Sequence, residues 1–94
     1  MFKNKVAKGA ALMDKELPGW EKKIDLERLD LGDICNCVVG QLYPDESYIT
    51  AVYDLLGINS IIESTTDEYG FSASEWRDYP SLTREWKQLI QERR

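Results

Sequence analysis

From Ile34 to Pro44 the chain reads ICNCVVGQLYP, a run without a charge in a protein where 31% of residues are charged. Asp33 stands before it as an N-cap residue and Pro44 closes it, so a helix is expected over residues 34 to 43. On such a helix Ile34, Val38, Gln41 and Leu42 share one side, and Cys35, Val39 and Tyr43 the next. A helix apolar on most faces is a buried helix, and the remaining segments are expected to surround it. Two amides, Asn36 and Gln41, ride on the stretch, and buried amides must find partners in the protein or in a ligand.

The chain has 94 residues, enough for one core. A single domain over residues 1 to 94 is expected, of four to five helices and mainly all-α. At this length apolar burial barely exceeds chain entropy, so a homo-oligomer that shares buried surface is expected. No apolar run approaches the roughly 18 residues of a membrane span, and the N-terminus lacks a signal-peptide core, which together predict a cytoplasmic protein that does not engage membranes.

Against 12 basic residues stand 17 acidic ones, and the net charge of −5 argues against direct nucleic-acid binding. The distribution is uneven. Residues 1 to 23 carry six Lys and three acids, residues 79 to 94 four basic groups and two acids, and the middle twelve acids against only Arg28 and Arg77. A solvated surface explains this pattern; so does a basic cleft between terminal helices, or an acidic face that imitates nucleic acid.

Phe2, Val6, Ala10, Met13 and Leu17 form the seam of an amphipathic helix over residues 2 to 17, which Pro18-Gly19 stops. Lys3, Lys5 and Lys8 sit where the helix dipole disfavours cations, so this end needs an acidic neighbour or an anion to avoid fraying. Trp20 and Ile24 predict one further helical turn, and IDLERLDLGD reads as a connector with a short turn. Pro44 to Ser47 forms a turn into a helix over about 47 to 56 that Gly57 ends. Residues 58 to 69 mix strand-forming Ile61, Ile62, Thr65 and Thr66 with a capping box at Ser60 and Glu63; helix is favoured, with a minor strand near 60 to 66 as the alternative. Ser72-x-x-Glu75 starts a single turn that presents Trp76 and Arg77. Pro80 opens the last helix, whose inner stripe is Leu82, Trp86, Leu89, Ile90 and Arg93.

The chain contains no His, which removes the commonest general base, the Ser-His and Cys-His pairs and most metal sites. Gly32 and Gly40 lack the companions of a phosphate loop, and Cys35 and Cys37 form neither a disulfide framework nor a zinc site. No enzymatic activity, cofactor or metal is expected. What remains suits binding: aromatic rings that stack, Arg groups that fork onto phosphate, and amides that read base edges. Tyr43 and Trp76 are expected to stack, Arg77 and Arg84 to meet phosphate, and Asn36 or Gln41 to read a base edge. Trp86 and Trp20 fit core positions better. Gly40 inside a helix marks a close approach of another backbone or a ligand, helix packing being the simpler cause.

The segments AALMDKELPGW, IDLERLDL, CNCVVGQLY, YGF and LTREWKQLI together resemble a family of small acidic proteins encoded by bacteriophages and actinobacterial prophages. The likeness covers residues 10 to 90, with Val39 where Leu is usual and Tyr69 where the family carries His before Gly-Phe. It speaks to lineage rather than activity. It implies an accessory protein in the cytoplasm of a bacterial host cell, acting against host defence either as a sponge for a small anionic nucleotide signal or as an acidic inhibitor that binds a host protein.

Overall fold

A computed structural model describes residues 2–47, 50–51, 68–73 and 75–94. The described residues are mainly helical and contain no strand. Three α-helices stand among them: α1 (Lys3–Glu16), α2 (Val38–Leu42) and α3 (Tyr79–Arg93). Two 3-10 turns, Trp20–Lys22 and Trp76–Asp78, complete the regular structure. The expected helix over 47 to 56 and the ambiguous segment 58 to 69 lie largely outside the described residues. At their edges Thr50, Ala51 and Glu68 are helical.

The two terminal helices pair with each other, as their apolar seams require. From α1, Val6, Ala10 and Met13 are buried; from α3, Leu82, Trp86 and Ile90. Trp86 is the hub. Its ring stacks on Phe71 at 5.9 Å between centroids and meets Trp20 edge-on at 5.8 Å, geometries that suit the ring quadrupoles. Its indole N–H donates to the Gly70 carbonyl at 2.7 Å. Gly9 lets α1 come this close, because a Cβ there would lie 2.1 Å from the Tyr69 carbonyl oxygen. Gly70 turns the chain with φ +73° against the backbone of Lys5 and Val6.

Side chains near the ends of α1 and α3 are tied across the molecule. Lys8 pairs with Glu68 and lies over the Tyr69 ring, which supplies the acidic neighbour that the Lys-rich start of α1 requires. Asp14 accepts from Arg93 at 2.6 Å and from the Trp20 indole at 2.9 Å. Arg94 donates to the carbonyls of Glu21 and Ile24 at 2.8 and 2.6 Å, closing the terminal helix over the 3-10 turn.

The charge-free stretch corrects the expectation of a helix over residues 34 to 43. Residues 34 to 36 are turns, the helix starts only at Val38, and its N-cap is Cys37 rather than Asp33. The physical reason lies in the Asp33 carboxylate, which accepts the Cys35 N–H at 2.9 Å and so offers the backbone a turn in place of a helix. Ile34 consequently faces solvent at 64% exposure and Cys35 is exposed, whereas Cys37, Val38 and Val39 are buried. The stretch therefore contributes one wall of the core, and the aromatic cluster at Trp86 is its centre. Gly40 marks a close backbone approach, as expected, but from the preceding turn: a Cβ would lie 2.0 Å from the Ile34 carbonyl oxygen.

Candidate functional site

The connector from Ile24 to Cys37 is held by its own short acidic side chains. Asp25 accepts from the Glu27 N–H at 3.0 Å, Asp30 from Gly32 at 2.9 Å and Asp33 from Cys35 at 2.9 Å, three local turns that need no regular structure. Leu31 anchors the connector to α3 by donating its N–H to the buried Thr83 hydroxyl at 2.9 Å. Gln41 clasps it from α2. The Gln41 Oε1 accepts the Asp25 N–H at 2.7 Å, and Nε2 donates to the carbonyls of Asp25 and Asn36 at 3.2 and 3.1 Å.

This clasp leaves a cleft of about 520 Å³ between the connector, α2 and the turn that follows it, lined by Lys23, Asp25, Arg28, Gln41, Tyr43 and Glu46 among others. Ligand pockets span about 300–1,000 Å³, so the space suits one small molecule. The guanidinium of Arg28 donates to Asn36 Oδ1 at 3.0 Å, and Asn36 Nδ2 donates to Asp33 Oδ2 at 3.0 Å. The backbone N–H of Cys35 and the amide of Asn36 hold the Asp33 carboxyl below its ordinary range, with the Arg28 charge assisting. Burial pushes the Cys37 thiol up, so it stays protonated and serves the fold, accepting the Gly40 N–H at 3.2 Å. Cys35, by contrast, lines the cleft as a free thiol.

Comparison with family models, with curated proteins and with solved structures gave no match.

The residues singled out from the sequence fall into two groups. Gln41 and Tyr43 line the cleft and Asn36 stands behind it, holding Arg28. Trp76, Arg77 and Arg84 take no part in that wall. Trp76 is 83% exposed on its 3-10 turn, and Arg77 pairs with Glu75 at 3.0 Å. Arg84 lines a separate recess of about 260 Å³ with Phe2, Asp78, Ser81 and Glu85. Neither amide sits as expected for a base-reading group, since Gln41 spends both N–H donors on backbone carbonyls and Asn36 is occupied on both faces. The cations of the cleft, Lys23 and Arg28, were not among the expected site residues. Their signal was present: Arg28 is the sole basic residue between Ile24 and Ser47, in a stretch otherwise furnished with acids.

Among the described residues no group of three or more His, Cys, Asp or Glu side chains is placed to hold a metal ion. No described helix is long and apolar enough to cross a membrane.

Proposed function

We propose that this protein is a non-enzymatic binding protein that sequesters a small anionic ligand of the nucleotide class, acting as an accessory factor against host defence. The observation that carries the proposal is the cleft itself: a space of ligand size whose wall sets two cations, Lys23 and Arg28, beside the acids Asp25 and Glu46 and carries one phenol ring, Tyr43. Cations at the edge of a concave site attract an anion, and a half-buried ring offers a face for a base. The absence of any His from the sequence supports a reading of retention without turnover. The setting in a phage-infected cell rests on the motif resemblance alone.

Isothermal calorimetry against cyclic mononucleotides, cyclic dinucleotides and ADP-ribose derivatives tests the proposal. Saturable heat with at least one of them is expected, lost in the double variant Lys23→Ala, Arg28→Ala. An absence of heat with all of them sinks it.

A second function is favoured by a separate observation. Trp76 exposes 83% of its surface on a turn between charged residues, and an exposed Trp of this kind is a common anchor of protein interfaces. Together with the acidic middle of the sequence, Trp76 suits an inhibitor that docks on a basic host protein. Electrostatic docking weakens steeply with salt, whereas a partly desolvated nucleotide cleft weakens less, so the salt dependence of any complex separates the two. Neutralising Asp45, Glu46, Asp67 and Glu68 should abolish such docking.

A further inference from the structure

We infer that Arg28 is the anion-reading group of the cleft, preorganised by Asn36 and Asp33, and that the ligand it reads carries a single phosphate charge, as a cyclic mononucleotide does. The inference rests on the cleft being a ligand site and goes on to say which anion that site accepts.

Three side chains form a relay that ends at the cleft. Asp33 accepts from the Asn36 amide at 3.0 Å, and Asn36 accepts from Arg28 at 3.0 Å. Because the amide nitrogen of Asn36 is committed to a carboxylate, its oxygen can only face the guanidinium, which fixes the orientation of the amide without ambiguity. One of the five guanidinium donors is thereby used; among the described residues the others take no hydrogen-bond partner, and they lie in the planar fork that matches two oxygens of a phosphate. A carboxylate at position 36 would have neutralised the cation it positions; an amide orients the guanidinium and leaves its charge in place. The charged partner, Asp33, acts one residue further back. Asn36 is a positioning residue, and Arg28 touches the ligand.

The charges on the wall then limit what fits. Lys23 and Arg28 bring two positive charges, and Asp25 and Glu46 bring two negative ones. The wall is formally neutral. A ligand with one phosphate charge meets the Arg28 fork while its neutral base lies beside Tyr43. A di- or triphosphate brings two or more charges into a space that also holds Asp25 and Glu46, whose like charges oppose the excess. Selection by repulsion thus complements selection by the fork.

Calorimetry with 3′,5′-cyclic AMP, ATP and ADP-ribose as probes decides the matter. Cyclic AMP is expected to bind at least about tenfold more tightly than ATP or ADP-ribose. Arg28→Ala should lose about ten- to a hundredfold in affinity for it, the usual worth of a hydrogen-bonded charge. Arg28→Lys should lose nearly as much, because charge without the fork does not suffice. Asn36→Ala should lose severalfold with its melting temperature unchanged, and it should also narrow the preference for cyclic AMP over ATP, which a purely structural residue would not do. Should Arg28→Ala lose its native circular dichroism, Arg28→Lys decides in its place. Tighter binding of ATP or ADP-ribose, or full affinity in Arg28→Lys, overturns the inference while the cleft remains a nucleotide site. No heat with any of the three, nor with a cyclic dinucleotide, overturns both.

Discussion

Cys35 and Cys37 are two residues apart and chemically opposite. Cys37 caps α2 with a buried thiol that burial pushes up, while Cys35 lines the cleft. A thiol reagent such as Ellman's should therefore modify one thiol per native chain and two after denaturation, with mass mapping to Cys35. Two rapid modifications in the native protein would mean that Cys37 is accessible and does not cap the helix. Gly40 gives a sharper test of packing. Its Cβ would fall 2.0 Å from the Ile34 carbonyl oxygen, against backbone that cannot swing aside. Gly40→Ala should thus cost about 1–3 kcal/mol, in contrast to the gain that Gly→Ala brings in an unconstrained helix. Urea unfolding measures it. The sequence did signal the close approach at Gly40, since glycine in a helix is otherwise a cost. It could not signal the roles of Asn36 or Gln41, whose partners lie 8 and 16 residues away through a turn that only the Asp33 carboxylate explains.

The helices α1 and α3 were legible because their apolar residues recur every three or four positions, and a seam of that spacing has one way to be buried. Helix α2 was legible in composition but not in extent, for the competing turn at Asp33 depends on local hydrogen bonding rather than on hydropathy. What joins the elements was hidden for a further reason: single polar contacts leave no periodicity. Thr83 is such a contact. Its hydroxyl accepts the buried N–H of Leu31, so Thr83→Val should strand that donor and lower stability by about 1–3 kcal/mol, while Thr83→Ser should retain most of it. Asp14 is another. Its hydrogen bond from Arg93 holds its carboxyl below the ordinary value of 3.8, so its contribution is complete above that value and is lost as the pH falls through the lowered one. Thermal melts of the parent and of Asp14→Ala should differ by several degrees at pH 7 and converge towards pH 2. A constant difference across that range would show that the ion pair contributes nothing.

Among the described residues an aromatic cluster at Trp86 and polar ties such as Leu31–Thr83 and Asp14–Arg93 hold distant parts of the chain together. Val38 is wholly buried, so Val38→Asp places an unpaired carboxylate there and should cost several kcal/mol, a large part of the roughly 5 to 15 kcal/mol a domain possesses. Aggregation or a lost cooperative melt is the expected result. Trp76→Ala, on an exposed turn, should leave the melting temperature within about two degrees, as surface changes do. Its effect on assembly is the informative readout. If copies associate through that indole, sedimentation velocity should show the parent as an oligomer and the variant as a monomer. The pairing of α1 with α3 has a consequence for the cell as well. Val6, Ala10 and Met13 are covered by residues about seventy positions later, and Arg93 and Arg94 secure the closure. At a synthesis rate of about 5–20 residues per second, α1 emerges from the ribosome several seconds before the helix that covers it. During that interval the apolar seam of α1 lacks the cover that Leu82, Trp86 and Ile90 supply in the folded protein.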